Sequence, residues 1–277
     1  MMVARNPIVE AFRAAAEDRT HGAGEIEAAL LRRLLALEES WSGGSLRHGA
    51  HLLLAGQPAM ANLRALARRL GRTSGEELGD ALRGRLATLE DLPRALGEAA
   101  WPFISGLARL VTSARSSAVA FALTAAWERG WRGQVVVLDG TPAGRGLDQA
   151  RELERSMRGV ISQPDGAAPG WLENAGGAVA VMVGADAVGE RSFLNACGTR
   201  MLLELARERL VPRPVIADTG KDVEEAEVGA MLASGPSRRE AGPGRTWPVF
   251  ERVPLSLATG RISERGEYGP GRQNEHA

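Results

Sequence analysis

The sequence predicts an α/β protein in which a helical N-terminal domain is followed by a Rossmann-like domain with a mostly parallel sheet. Three observations support this prediction. Residues 1–106 carry helical hydrophobic periodicity, residues 107–277 alternate short β-branched runs with helical patterns, and turns rich in small residues follow several of those runs. Strands that alternate with helices are typical of βαβ units, whose parallel sheet is covered on both faces. The domain boundary is therefore predicted between residues 106 and 107.

Helices account for the predicted N-terminal domain. Ile26, Leu30 and Leu34 have the spacing of one buried helical face. The predicted helices are Ile8–Glu17, Gly24–Glu39, Ala59–Leu70 and Ser74–Leu89. The Gly- and Ser-rich stretch between the second and third, residues 40–50, is expected to be a turn region.

The predicted C-terminal domain begins where the pattern changes near Ala108. Four strands are predicted, at Leu110–Thr112, Gln134–Leu138, Ala178–Val183 and Pro214–Ala217. Three helices are predicted between or after them, at Ala118–Arg129, Leu147–Met157 and Thr199–Arg209. Residues 233–246 are rich in Gly, Pro, Ser and Arg and predict a loop, and the tail from about residue 267 is expected to be disordered.

Composition excludes several classes of protein. The 277 residues have a formal net charge of zero, so no broad basic field is present and no direct contact with nucleic acid is expected. A single cysteine excludes an internal disulfide, and the chain has no apolar run of the roughly 18 residues that a membrane span needs. The charged N-terminus lacks the apolar core of a signal peptide. We expect a cytoplasmic protein that does not enter a membrane.

Candidate ligand groups follow the predicted strands, because ligands of open parallel sheets bind at the carboxyl ends of the strands. Arg115, Ser116 and Ser117 link the first strand to a helix, where free N–H groups, hydroxyls and a guanidinium attract an anion. A serine cap with a solvent-facing arginine is the alternative. Residues 139–146 follow the second strand but lack the dinucleotide fingerprint, and the four histidines have no metal-site spacing, so no cofactor and no metal are expected.

Acidic and polar residues follow the third strand. Asp186 ends an apolar run in a turn of small residues, which suits a desolvated acid or base as well as a turn cap. Asn195 and Thr199 belong to a turn before a helix, where they could bind phosphate or simply cap that helix. Cys197 lies in the same turn, and a lone cysteine is by default a buried, unreactive residue.

Lys221 is the single lysine of a chain that otherwise uses arginine as its cation. A compact ammonium is not equivalent to a planar guanidinium at a close-packed anion site, so Lys221 is a candidate ligand group. A solvated lysine at the start of a helix is the alternative.

Several motifs resemble the family that joins the α, β and δ regulatory subunits of translation initiation factor 2B to methylthioribose-1-phosphate isomerase and ribose-1,5-bisphosphate isomerase. The resemblance spans nearly the whole chain. Its motifs are THGAGEIEAAL (20–30), GQPAMANL (56–63), LVTSARSSAV (110–119), VMVGADAV (181–188), NACGT (195–199) and VFERVPLSLATGRISERG (249–266). It implies a helical domain, a Rossmann-like domain, a homodimer, and a pocket between the domains for a phosphorylated sugar or nucleotide.

The resemblance also implies roles for individual residues. Asp186 matches the catalytic aspartate of the isomerases, and Asn195 and Lys221 match ligand-binding positions. His21-Gly22-Ala23 matches a ligand-binding Arg-Gly-Ala motif with His in place of Arg. The isomerase cysteine falls on Ala114, and two further cations are replaced by Ala196 and Thr141.

Two functions are compatible with this pattern. The first is an initiation-factor-2B-like protein that binds a phosphorylated sugar or nucleotide without Cys-dependent isomerase chemistry, which the Ala at position 114 favours. The second is an aldose-ketose isomerase that acts on ribose 1,5-bisphosphate or methylthioribose 1-phosphate with Asp186 as the proton-transfer group. Loss of a general acid or base usually costs about 10²–10⁴-fold in rate, so the missing thiol favours the binding protein.

Overall fold

The structure is a computed structural model that describes residues 6–70, 76–141, 144–173, 178–234, 239–240 and 246–268. The chain divides into two compact units, an N-terminal unit of residues Met1–Asp91 and a C-terminal unit of residues Leu92–Ala277. Helices dominate the first unit, and the second contains a parallel sheet with helices between its strands. The predicted fold class is confirmed.

The N-terminal unit is built from helices that bury their apolar faces against one another. Its helices are α1 (Pro7–Glu17), α2 (Ala23–Ala36), α3 (Gly43–Gly56), α4 (Ala61–Leu70) and the first part of α5 (Glu76–Ile104). The close approach of α1 and α3 depends on Gly49, where a Cβ atom would lie 2.0 Å from the ring of Phe12. Side-chain packing of this kind stabilises short helices more than intrinsic propensity does.

Two predictions for this region are wrong. Residues 43–50 form the first part of α3 rather than a turn: Ser42 caps the helix by accepting a hydrogen bond from Ser45 N at 3.2 Å, and Leu46 and Leu53 share its buried face. The helix predicted to end at Leu89 continues through two prolines to Ile104. Its predicted cap, Ser74, lies outside the described residues.

The central sheet of the C-terminal unit contains β1 (Arg109–Ser113), β2 (Gln134–Leu138), β3 (Val160–Gln163) and β4 (Val179–Val181). These strands are parallel in the order β3-β2-β1-β4. Val111 and Val136 pair directly and are fully buried, as expected for strands covered on both faces. Because the chain moves from β1 to β2 on one side and returns to β4 on the other, the strand order reverses between β1 and β4, where ligands of such sheets bind.

Two smaller sheets complete the unit. β5 (Ala187–Val188), β6 (Ser192–Ala196) and β10 (Phe250–Pro254) form an antiparallel sheet, and β7 (Val215–Ile216), β11 (Arg261–Ser263) and β12 (Gly266–Tyr268) form another. Backbone hydrogen bonds join Val183 to Pro214 and Ile216, so β7 continues the parallel sheet beyond β4. A strand pair, β8 (Arg239–Glu240) and β9 (Thr246–Trp247), accounts for part of the predicted loop, whose residues 235–238 and 241–245 lie outside the described part.

The remaining helices of the C-terminal unit are α6 (Ser117–Glu128), α7 (Arg145–Glu154), α8 (Ala168–Trp171), α9 (Thr199–Glu208) and α10 (Glu225–Ser234). Two predictions at the strand ends need correction. Asn195 belongs to β6 rather than to a turn, and the predicted disordered tail begins within β12, which extends to Tyr268. Residues 269–277 lie outside the described part of the chain.

Candidate functional site

Three turns meet at the carboxyl edge of the central sheet. The β1–α6 turn lies in the middle, with Ala114 in the left-handed region at φ 59°. A Cβ atom on Gly140, in the β2–α7 turn, would lie 3.6 Å from Ala114 Cα. A Cβ atom on Gly184, in the turn after β4, would lie 2.2 Å from the Ser116 hydroxyl. The close approach at Gly184 leaves no room for a side chain, whereas 3.6 Å is an ordinary contact and position 140 favours glycine through its φ of 67°. These contacts bring the three strand ends together at the point where the strand order reverses.

Asp186 lies on this edge, between β4 and β5. Its backbone N donates a 2.8 Å hydrogen bond to Leu194 O, which fixes the backbone. Its carboxyl group has no hydrogen-bond partner among the residues that the structure describes. Burial raises the pKa of Asp186, and the positive charges of Lys221 and Arg145 offset only part of that rise. A carboxyl group in this state takes up a proton at a higher pH than a surface aspartate does, as is common for an acid or base at a functional site.

Lys221 lies beside Asp186 and is buried. Its exposed fraction is 7%, and its Nζ donates a 2.6 Å hydrogen bond to the carbonyl oxygen of Ala185, the residue before Asp186. The segment that carries it is held by Asp218, whose side chain accepts from Gly220 N at 3.1 Å. The alternative of a solvated lysine is therefore wrong.

Asn195 and Thr199 are buried and bonded to each other. Asn195 Nδ2 donates to Thr199 Oγ1 at 2.9 Å, and that hydroxyl donates to Ala196 O at 2.7 Å. Asn195 lies near Asp186, because Asp186 N bonds to the neighbouring residue Leu194 on β6. The capping alternative is wrong, because the N-cap of α9 is Gly198 and no side chain makes a cap hydrogen bond there. The ligand-binding role of Asn195 and Thr199 stays a prediction.

The β1–α6 turn uses most of its polar groups within the protein. Arg115 is held by Glu152, with its Nε and Nη2 atoms 3.1 and 3.0 Å from the same carboxylate oxygen. The Ser116 hydroxyl accepts from Val119 N at 3.4 Å, and Ser116 N donates to Gln149 Oε1 at 2.6 Å. Ser117 is the first residue of α6. The predicted contacts of Arg115, Ser116 and Ser117 with phosphate stay predictions, and Arg115 would have to share or leave Glu152 to make them.

His21, Gly22 and Ala23 lie in the N-terminal unit, at the start of α2. His21 Nδ1 is 2.7 Å from Asp18 Oδ2, and Gly22 N donates to Glu25 Oε2 at 2.6 Å. Burial alone would raise the pKa of Asp18, but hydrogen bonds from His21 and Thr20 hold it well below its usual range. Ala23 is buried, and its carbonyl oxygen accepts from Asn62 Nδ2 at 3.0 Å. Their role toward a ligand stays a prediction.

Cys197 is exposed, so the expectation that it is buried is wrong. Its surroundings nevertheless agree with the expectation that the thiol is unreactive. Partial burial and the negative charge of Glu251 raise the pKa of Cys197, although a hydrogen bond from Gly198 N opposes them. A thiol with a raised pKa carries little thiolate at neutral pH and is a poor substitute for the isomerase cysteine.

Arg145 is a site residue that the sequence reading missed. It is the first residue of α7, and its charge acts on Asp186. The available signal was a lone arginine at the end of a Gly-containing turn after a strand.

Within the described residues there is no group of three or more His, Cys, Asp or Glu side chains arranged to hold a metal ion. The helices in the same part of the chain include none long and apolar enough to cross a membrane.

These features define the chain as a Rossmann-like protein with a candidate ligand site at the carboxyl edge of its sheet. The chain matches the model of the Initiation factor 2 subunit family over residues 19–233, and it belongs to that family. It is 30% identical over 284 residues to the methylthioribose-1-phosphate isomerase of Anaeromyxobacter dehalogenans, which covers 93% of this chain and 84% of that protein. It is 32% identical over 253 residues to the ribose 1,5-bisphosphate isomerase of Haloterrigena turkmenica, which covers 81% of this chain and 76% of that protein.

Solved structures with similar folds include proteins of the same kinds. The translation initiation factor eIF-2B of Pyrococcus horikoshii has a TM-score of 0.80 at 24% identity, over 97% of this chain and 98% of that one. The 5-methylthioribose 1-phosphate isomerase of the same organism has a TM-score of 0.70 at 19% identity, over 95% of this chain and 84% of that one. The resemblance inferred from the sequence motifs is confirmed. At these identities the structural likeness establishes the fold.

Proposed function

We propose that this chain binds a phosphorylated sugar or nucleotide, with a phosphorylated ribose as the first candidate, and does not carry out Cys-dependent isomerase chemistry. Two relatives that are at least 30% identical are named as isomerases of phosphorylated ribose derivatives, which supports a ligand of this class. The proposed site is the carboxyl edge of the central sheet, with Asp186 and Lys221 at its centre.

The observation that carries this proposal is the pair formed by Asp186 and Lys221. A partly buried carboxyl group without a hydrogen-bond partner, beside a buried ammonium, is costly to the fold and is typical of a functional site. Hydroxyl groups of a sugar would supply the missing partners of Asp186. Ala114 offers no proton-transfer group where the resemblance expects the thiol, which supports binding over isomerisation.

A second candidate is an isomerase that works without the thiol. The raised pKa of Asp186 favours it, because an aldose-ketose interconversion requires a group that exchanges protons with the substrate. The raised pKa of Cys197 argues against transfer of the thiol role to that residue.

³¹P NMR separates the two candidates. Wild type and Asp186→Asn are each incubated with ribose 1,5-bisphosphate and, separately, with methylthioribose 1-phosphate. Asp148→Asn, on the exposed face of α7, is the control for the chemical change. The proposal expects broadened or shifted substrate resonances without product, weakened in Asp186→Asn and retained in Asp148→Asn.

New phosphate resonances that depend on Asp186 would establish the isomerase and overturn the binding proposal. Unchanged spectra for both esters would overturn both candidates for these ligands, and nucleotides would then be tested in the same way.

The assembly and location expected from the sequence belong to this proposal. One of the structural neighbours is described as a tetrameric complex of β and δ subunits of eIF2B from C. thermophilum, which supports assembly in this fold. We propose a cytoplasmic homodimer. Light scattering on the purified chain should give twice the monomer mass of 29.4 kDa, and the monomer mass alone would contradict the dimer.

A further inference from the structure

Arg145 differs from the other arginines that lie partly buried in the described residues. Its guanidinium has no hydrogen-bond or ion-pair partner among those residues. Each of the others donates to a carboxylate, a side-chain amide or a backbone carbonyl: Arg64, Arg85, Arg109, Arg115, Arg213 and Arg261. The absence of a partner is therefore specific to the residue that begins α7.

An unpartnered guanidinium in this position has a cost. The group presents five N–H donors in a planar fork, and removing water from it without supplying acceptors destabilises the folded protein. A surface arginine avoids the cost by extending into water, whereas Arg145 is partly covered. An acceptor that binds from outside the chain would remove the cost, and the fork matches a phosphate or a carboxylate with two parallel hydrogen bonds.

The surroundings of Arg145 belong to the same edge of the sheet as Asp186. The next residue, Gly146, has its backbone N 3.7 Å from the position of a Cβ atom on Gly140, which itself lies against Ala114. The charge of Arg145 lowers the pKa of Asp186 in part, yet the two side chains form no ion pair. An anion at Arg145 would therefore lie at the same edge of the sheet as Asp186, without displacing a contact of the guanidinium with the described residues.

We propose that Arg145 binds the phosphate of the ligand, while Asp186 and Lys221 face the oxygen atoms of its sugar. This assignment rests on the proposed function. It gives the chain a phosphate-binding cation that its sequence motifs do not predict. This cation lies on the turn where Thr141 replaces the cation expected from the resemblance. The start of α7, a helix of ten residues, adds favourable electrostatics for an anion at the same place.

Isothermal titration of ribose 1,5-bisphosphate into four proteins tests the assignment: wild type, Arg145→Gln, Arg145→Lys and Arg151→Gln. Arg151 is a matched control, because it lies on the same helix with a side chain that is 70% exposed. Loss of charged hydrogen bonds should weaken binding by about 10- to 100-fold in Arg145→Gln. Arg145→Lys should fall between that variant and wild type, since it keeps the charge and loses the fork. Arg151→Gln should stay within about twofold of wild type.

A second probe keeps this assignment separate from the proposed function. Thermal unfolding is measured with and without millimolar inorganic phosphate, which should raise the Tm of wild type and Arg151→Gln but not that of Arg145→Gln. If wild type binds no sugar phosphate while inorganic phosphate stabilises it through Arg145, the function fails and the anion site stands. If wild type binds the bisphosphate and Arg145→Gln binds it equally well, the assignment is overturned and the function stands. If phosphate stabilises both proteins equally or neither, the assignment is overturned. Equal Tm values in phosphate-free buffer establish that each variant is folded.

Discussion

Gly146→Ala tests the closest approach of a helix to the central sheet. Gly146 is the second residue of α7, and a Cβ atom there would lie 1.9 Å from the carbonyl oxygen of Leu138 and 2.8 Å from the carbonyl carbon of Asp139. Ordinary contacts begin at 3.4 Å, so the start of α7 would have to move away from β2 by about 1.5 Å, the difference between those two distances. No side-chain rotation can relieve the clash, because both neighbouring atoms belong to the backbone.

The expected cost follows from that displacement. Forcing extra volume into a packed interior costs about 1–3 kcal/mol and sometimes more. This position is at the upper end, because the displacement would also strain the 2.9 Å hydrogen bond from Gly146 N to Asp139 O. A loss of about 3 kcal/mol lowers the Tm of a domain of this size by about 6–12 °C. Differential scanning calorimetry or circular dichroism measures the change.

Gly229→Ala is the matched control. Gly229 lies within α10, and a Cβ atom there would meet no other atom within 4 Å. The same substitution should therefore stabilise the protein by about 0.4–1 kcal/mol, because alanine restricts the unfolded chain and favours a helix. A Gly146→Ala protein that melts within about 2 °C of wild type, beside a stabilised Gly229→Ala, would refute the close helix–strand approach.

Three further predictions concern titratable groups. Asp186→Asn should raise the Tm at neutral pH, because the raised pKa of Asp186 means that its charged form destabilises the folded protein. The gain in Tm should shrink as the pH falls, and a gain that is independent of pH would contradict this prediction. Glu225→Gln should cost about 1–3 kcal/mol at neutral pH. Burial opposes ionisation of Glu225, but hydrogen bonds from Ser192 and Arg191 and the charge of Arg252 lower its pKa from 4.5 to about 2. The difference in Tm between Glu225→Gln and wild type should therefore persist above pH 4.5 and disappear toward pH 2 in a pH series of thermal melts. Cys197 should react slowly with a thiol reagent at neutral pH, and Glu251→Gln should accelerate the reaction by lowering the pKa of the thiol; an unchanged rate would contradict the influence of Glu251.

Sequence patterns predicted those elements whose stability is local. The strand Gln134–Leu138 was predicted at its observed bounds, because an uninterrupted apolar run can only be buried. The turn predicted at residues 43–50 is wrong because Gly and Ser favour a turn locally, whereas the apolar face that packs against α1 stabilises a helix. The short strand Ser192–Ala196 was missed because its main partner is Phe250–Pro254, more than fifty residues later in the chain.

The candidate site residues show the same difference between local patterns and contacts that depend on distant segments. Lys221 could be selected because it is the single lysine, but its burial against Ala185 O depends on the packing of two separate strand ends. The unreactive thiol of Cys197 was expected, but one cause of its raised pKa could not be predicted, because Glu251 belongs to a strand that is distant in sequence. Arg145 belongs to a turn by its sequence, and its lack of a partner among the described residues depends on the packing around α7, which no local pattern predicts.

The conformation of Ala114 bears on why the turn keeps its shape without a thiol. A residue with a Cβ atom in the left-handed region costs about 1–2 kcal/mol, and such strain persists where the surrounding structure enforces it or where function needs it. Here the turn is enclosed by Gly140 on one side, while its Ser116 contacts Gly184 on the other. The strained turn is therefore packed between two other strand ends, and Asp186 and Arg145 lie at the same edge of the sheet. Under the proposed function, a site that binds its ligand without thiol chemistry still needs this arrangement of strand ends, because the arrangement places the groups that would contact the ligand.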